Sequence, residues 1–270
     1  MAQLLQKDQI LQDKAPQVFK LVQKLDPLLA RVGLAGHIAR AGACYDVSGS
    51  MTSMYRRGAV QELANRSGAL AHRFDDNGAL DVFRFNTRAE YVGEVLTCDL
   101  SGYVAGAFRN IGGGTSYVNA MKEVRKFYFG DSGKRSTPFS DGKPPVYMMF
   151  YTDGQPQDDR ESDIIDQIRW SSYEPIFWQF IALGVDYYPG QTVKKTSGLF
   201  RKTTTEVAVE CPREFAFLGS LDTLTGRYVD NASFFAIELP EKIEPEDLFS
   251  RMMIEYPNWL KIPEVQRMLA

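Results

Sequence analysis

The sequence is poor in the groups that most sites use as general bases or soft metal ligands. It has two histidines, His37 and His72, and three cysteines, Cys44, Cys98 and Cys211, an odd number without framework spacing. No disulfide framework is indicated, and a reducing compartment is expected. Charge of one sign is also lacking. The 31 Lys and Arg against 34 Asp and Glu leave −3, without the basic field that nucleic-acid binding needs. No apolar run approaches the roughly 20 residues of a membrane helix. The start, Met1 to Asp8, has no basic segment leading into an apolar one. These absences predict a soluble, cytoplasmic protein that inserts into no membrane and binds no nucleic acid. Hydrophobic residues, at 44%, and aromatics, at 12%, are ample for a packed core.

The stretch around which the chain is organised is Asp46-Val47-Ser48-Gly49-Ser50. An apolar run from Ile38 to Tyr45, broken by Arg40 and Gly42, leads into it, and a helical pattern starts near Met54. A carboxylate and two hydroxyls at alternate positions therefore stand where a strand becomes a helix. In open α/β sheets ligands bind there, outside the carboxyl ends of the strands. All three side chains offer hard oxygen, which suits Mg²⁺, Mn²⁺ or Ca²⁺ and not zinc or copper.

Strand and helix signals alternate along most of the chain. Pro16 and Pro27 are expected to break residues 3 to 30 into one central helix, about 16 to 25, with looser flanks. Val60, Leu63, Ala64, Ser67, Leu70, Ala71 and Phe74 mark an amphipathic helix that carries His72 as a solvated or core-edge residue and ends at Asp75-Asp76-Asn77-Gly78. Ala79 to Phe85 reads as a strand, with an edge strand at Tyr91 to Leu96. Ile111-Gly112-Gly113-Gly114-Thr115-Ser116 precedes a helix at Val118, Met121, Val124 and Tyr128, and lacks the Lys-Ser/Thr pair of a phosphate loop. Val146 to Tyr151 is continuously apolar, as in a parallel strand buried on both faces, and runs into Thr152-Asp153-Gly154. A helix over Glu161 to Trp170 and a buried run from Ile176 to Val185 follow. The pattern predicts a doubly wound, mostly parallel α/β sheet with helices on both faces and one antiparallel edge strand. Residues 1–30 read as a helical extension packed on a domain at 31–262. Residues 186–213, with Lys194, Lys195, Arg201, Lys202 and Thr203 to Thr205, read as an inserted loop or hairpin with a strand at Glu206 to Glu210. A last helix is expected from Pro245 to Tyr256, stopped by Pro257.

Asp46, Ser48, Ser50, Thr115 and Asp153 thus fall on three loops at one edge of one sheet. Two carboxylates confined together without a cation would raise a pKa or open the site. A divalent ion removes that conflict, and the neutral hydroxyls leave it electrophilic enough to recruit one further carboxylate. This set resembles the metal-ion-dependent adhesion site of von Willebrand factor A domains. The resemblance implies that Asp46, Ser48 and Ser50 bind the metal, with Thr115 and Asp153 completing the shell directly or through water. Phe217-Leu218-Gly219-Ser220-Leu221-Asp222, Val229-Asp230-Asn231-Ala232-Ser233-Phe234-Phe235 and Glu255-Tyr256-Pro257-Asn258-Trp259-Leu260 are similar to the bacterial TerF-like group. That likeness implies a tellurium-resistance or stress-response setting.

The function expected is a binding module whose Mg²⁺ (or Mn²⁺ or Ca²⁺) takes a carboxylate from a protein partner. The alternative is a metal-assisted hydrolase or phosphoryl-transfer enzyme using the same cation. Candidates for its general base are poor. Neither histidine falls on a predicted site loop, Asp158, Asp159 and Asp99 read as helix caps, and Ser48 lacks a Gly-x-Ser-x-Gly elbow.

Overall fold

A computed structural model describes residues 2–197 and 203–270. In chain order it contains α1 (Ala2–Lys14), α2 (Pro16–Arg31), β1 (Arg40–Asp46), α3 (Thr52–Arg56), α4 (Ala59–Phe74), β2 (Ala79–Phe85), β3 (Ala89–Leu96) and α5 (Tyr103–Ala107). There follow α6 (Tyr117–Phe129), β4 (Val146–Thr152), α7 (Glu161–Ser171), β5 (Ile176–Leu183), β6 (Thr192–Ser197) and β7 (Thr203–Ala208). The last elements are α8 (Ala216–Asp222), β8 (Ala232–Ile237), α9 (Pro245–Met252), α10 (Tyr256–Trp259) and α11 (Pro263–Leu269).

Six strands form one sheet in the order β3-β2-β1-β4-β5-β8, parallel except for β3, which runs antiparallel to β2 at the edge. Because successive residues of a strand face opposite sides, one strand feeds two cores. On β4, Tyr147, Met149 and Tyr151 pack with α2, α4 and the C-terminal helices. Val146, Met148 and Phe150 pack with α6, α7 and α8. The continuous apolar run at 146–151 follows from this double burial. The chain winds outward from β1 to β2 on one side and from β4 to β5 and β8 on the other. The switch point between β1 and β4 is where the sheet opens for a ligand.

Several boundaries depart from the sequence pattern. Helix α2 continues through Pro27 to Arg31. Proline inside a helix costs about 3 kcal/mol. The turn it sits in buries Leu25, Leu28 and Leu29, each contributing roughly 1.5–3 kcal/mol, so burial outweighs the lost amide. The segment before it is a full helix, anchored by Leu11 in the core and by Asp8, which accepts from Arg73 and His72 on α4. Strand β3 begins at Ala89, two residues before the apolar piece. Helix α9 ends at Met252, and Pro257 lies in the first turn of α10, where its missing amide is harmless. The unanticipated α11 buries Val265 and Met268. Strands β6 (Thr192–Ser197) and β7 (Thr203–Ala208) pair antiparallel, the second beginning at Thr203, before the expected Glu206. Arg201 and Lys202 lie outside the described residues.

Candidate metal centre

Asp46 is the last residue of β1 and is fully buried. The strand delivers it to the sheet edge, and the tight turn after it folds the Ser48 amide back onto Asp46 Oδ1 at 2.8 Å. Its other carboxylate oxygen accepts from Thr152 Oγ1 on β4, also at 2.8 Å. Asp46 is therefore fixed from both strands flanking the switch point. Ser48 is buried, whereas Ser50 is exposed; their hydroxyls lie 3.1 Å apart, and Ser50 Oγ donates to Asp153 Oδ1 at 2.8 Å. Four of the five sequence-predicted residues thus form one hydrogen-bonded chain from Asp46 to Asp153.

Thr115 enters on a third loop. Gly112 donates to the Val47 carbonyl at 2.8 Å and Gly49 to the Gly113 carbonyl at 3.2 Å, which stitches that loop to the first one. Gly113 has φ +89°, in the left-handed region. A Cβ on Gly114 would lie 2.2 Å from Asp158 Oδ2, so a larger residue there would displace that exposed carboxylate. Thr115 is buried, and its carbonyl accepts from the amides of Gln157 and Asp158, which ties the third loop to the one after β4. Among the described residues no hydrogen bond joins the Thr115 hydroxyl to the other four.

The electrostatics differ in cause from the sequence expectation. Asp46 is pushed up to about 6, and burial is the largest influence. Hydrogen bonds from Ser48 and Thr152 oppose the shift, and the charge of Asp153 ranks below them. Asp153 is also raised by burial, against the Ser50 hydrogen bond. Desolvation, more than mutual repulsion, makes the two carboxylates uncomfortable. None of these influences is a cation.

Some contributors escaped the sequence reading. Thr152 was visible only as the residue before Asp153, yet it fixes Asp46. Tyr55 donates to the Asp46 carbonyl at 2.9 Å, and Tyr117 donates to Thr152 Oγ1 and to the Gly154 carbonyl. Asp159 caps a helix other than the one it precedes, accepting from Ser116 Oγ and the Val118 amide at the start of α6. The histidines are engaged elsewhere, His37 with Tyr256 and His72 with Asp8 and Thr97, and His72 is buried rather than solvated.

The donor set suits a hard divalent ion: two carboxylates match its charge, and three hydroxyls add oxygen without adding charge. Among the described residues no group of three or more His, Cys, Asp and Glu is arranged to hold a metal. An ion at this edge would therefore depend on the hydroxyls. No described helix is long and apolar enough to cross a membrane.

Comparison with known proteins gives a family and a fold. The family described as "vWA found in TerF C terminus" matches residues 38–191 and 207–269, leaving out most of the β6–β7 pair. The YcbR protein of Bacillus subtilis (strain 168), described as uncharacterized, is 31% identical over 228 residues, covering 83% of this chain and 78% of that protein. Among solved structures, proximal thread matrix protein 1 from the mussel byssus aligns over 81% of this chain with a TM-score of 0.52 and 13% identity. The alignment spans 48% of the mussel protein, so this chain corresponds to about half of it.

Proposed function

The chain belongs to the family of von Willebrand A domains found at the C terminus of TerF, and on that premise we propose that its sheet edge is a divalent-cation centre that captures an acidic group of a partner protein. One observation carries this: the hydrogen-bonded chain from Asp46 through Ser48 and Ser50 to Asp153, in which a buried and a half-buried carboxylate face hard oxygen donors, with no arginine or lysine among the groups that shift them. A bound Mg²⁺, Mn²⁺ or Ca²⁺ would supply an electrophilic position for one external carboxylate. Asp46 and Asp153 would provide the balancing charge, and Ser48, Ser50 and Thr115 neutral oxygens. Thr152 and Tyr117 hold Asp46 and the Gly154 turn in place, so that little has to reorganise when a partner arrives. A cytoplasmic bacterial tellurium-resistance or stress-response system is the setting we propose.

The test is a pull-down from a bacterial lysate with Mg²⁺ or EDTA, using the wild type and Asp46→Ala, read by mass spectrometry. Proteins retained only by the wild type and only with Mg²⁺ support the proposal. An identical set in all four samples overturns it.

A further inference from the structure

Beside the candidate metal centre lies a pocket of about 250 Å³, and Val47, from the metal-binding loop itself, forms part of its wall. Arg84, Asn86, Arg88, Glu90 and Asn110 line it as well. Of the loops that carry the candidate ligands, the first reaches this pocket through Val47 and the glycine loop is tied to its wall. Gly112 donates to Val47, and Asn86 Nδ2 donates to the Gly112 carbonyl at 2.7 Å. Position and charge point the same way. Arg84 is half-buried, ion-paired with Glu90 and hydrogen-bonded to the Ala107 carbonyl, which fixes its guanidinium in the wall. Arg88 is exposed on the turn between β2 and β3 and has no ion-pair partner among the described residues. With Arg84 and Glu90 offsetting one another, the pocket keeps one unspent positive charge; the Asn110 amide stands alongside it, while that of Asn86 is engaged by the Gly112 carbonyl and the Arg88 amide and shapes the wall.

We infer that this pocket is a second subsite for the same partner, taking an Asp or Glu side chain near the one that would sit on the metal. The inference rests on the function proposed above and narrows the partner to a segment with two acidic residues at a fixed spacing. A guanidinium and a side-chain amide recognise a carboxylate through charge-assisted hydrogen bonds. Placed at the rim of a site, an unpaired charge chiefly selects partners and speeds their capture. The paired Arg84 holds the wall, and the free Arg88 supplies the attraction.

The probe is a displayed library of extended random peptides with one fixed central Asp, selected in Mg²⁺ on the wild-type protein, on Arg88→Glu and on Asp46→Ala. The expected result is wild-type enrichment of a second Asp or Glu at one constant distance from the fixed residue, and inversion of that position to Lys or Arg on Arg88→Glu. Selection on Asp46→Ala loses that preference. If peptides are enriched only in Mg²⁺ and not on Asp46→Ala but without a second acid, or Arg88→Glu keeps the same preference, the subsite is refuted and the metal centre stands. If enrichment is the same with EDTA and on Asp46→Ala, the metal-dependent function fails and the subsite with it.

Discussion

The two ends of the sheet treat their carboxylates in opposite ways. At the amino-terminal end of β5 and β8, Asp222, Asp230 and Glu255 gather around Arg227, which pairs with Asp230 at 2.7 Å and is threaded into the carbonyls of Leu221, Asp222 and Leu224. At the carboxyl end, Asp46 and Asp153 have hydroxyls and amides for company and no arginine or lysine among the groups that shift them. Burial raises the carboxyls at both ends. One end holds its cation within the chain, and the other leaves the charge open to an external ion. The interior repeats the first solution: Arg125 and Glu174, both fully buried, pair at 2.7 Å with Arg135 as a second partner. A carboxylate with a built-in cation holds the fold together; a carboxylate without one is where we propose that an external cation binds.

Removing a built-in cation should do the most damage. Arg125→Met leaves Glu174 buried beside Arg135 alone and should cost about 3–5 kcal/mol, measured as a shift of the urea midpoint. A loss below about 1 kcal/mol would show that the pair is not structural.

The acidic end should also show in the pH dependence. Asp222 and Glu255 are each pushed up to about 7, by burial first and then by the neighbouring acids. The folded state thus holds protons that the unfolded chain has released, and stability falls as pH rises from about 4 to about 7. Urea midpoints across that range should decline in the wild type and flatten in Asp222→Asn. A slope unchanged by the substitution would contradict the assignment.

The contrast can be inverted by giving the open end a cation of its own. Ser50 is exposed and touches Asp153, so Ser50→Lys should pair with that carboxylate. The apoprotein should change by less than about 1 kcal/mol, while the rise in thermal midpoint on adding Mg²⁺ should vanish. A full Mg²⁺ response in this variant would argue against the site. The smallest effect belongs to Lys24 and Glu246, paired at 3.3 Å in solvent. Lys24→Ala should move stability by no more than about 0.5 kcal/mol in a denaturant titration.

What the sequence made legible follows the same physics. The apolar runs at 146–151 and 176–183 identify buried parallel strands because both of their faces are covered. Asp46 and Asp153 stand out because each lies just past an apolar run, 38–45 and 146–151. Helix α2 runs on through Pro27, against the expectation, because a local penalty is visible in sequence and the tertiary burial that outweighs it is not. Helix α11 is too short for a periodic signal, and its two buried residues gain meaning only against the core. The loops of the candidate metal centre are local motifs, so their residues can be named. The bond from Thr152 to Asp46 crosses between strands far apart in sequence, and no spacing rule reveals it.

The most direct measurement is calorimetric titration of Mg²⁺ and Mn²⁺ into the wild type and Asp46→Ala, with far-UV circular dichroism to confirm that both are folded. A single saturable site in the wild type, weakened by more than about 100-fold in the variant, is the predicted result. Equal affinity in the two proteins, or no binding to a folded wild type, would contradict the account.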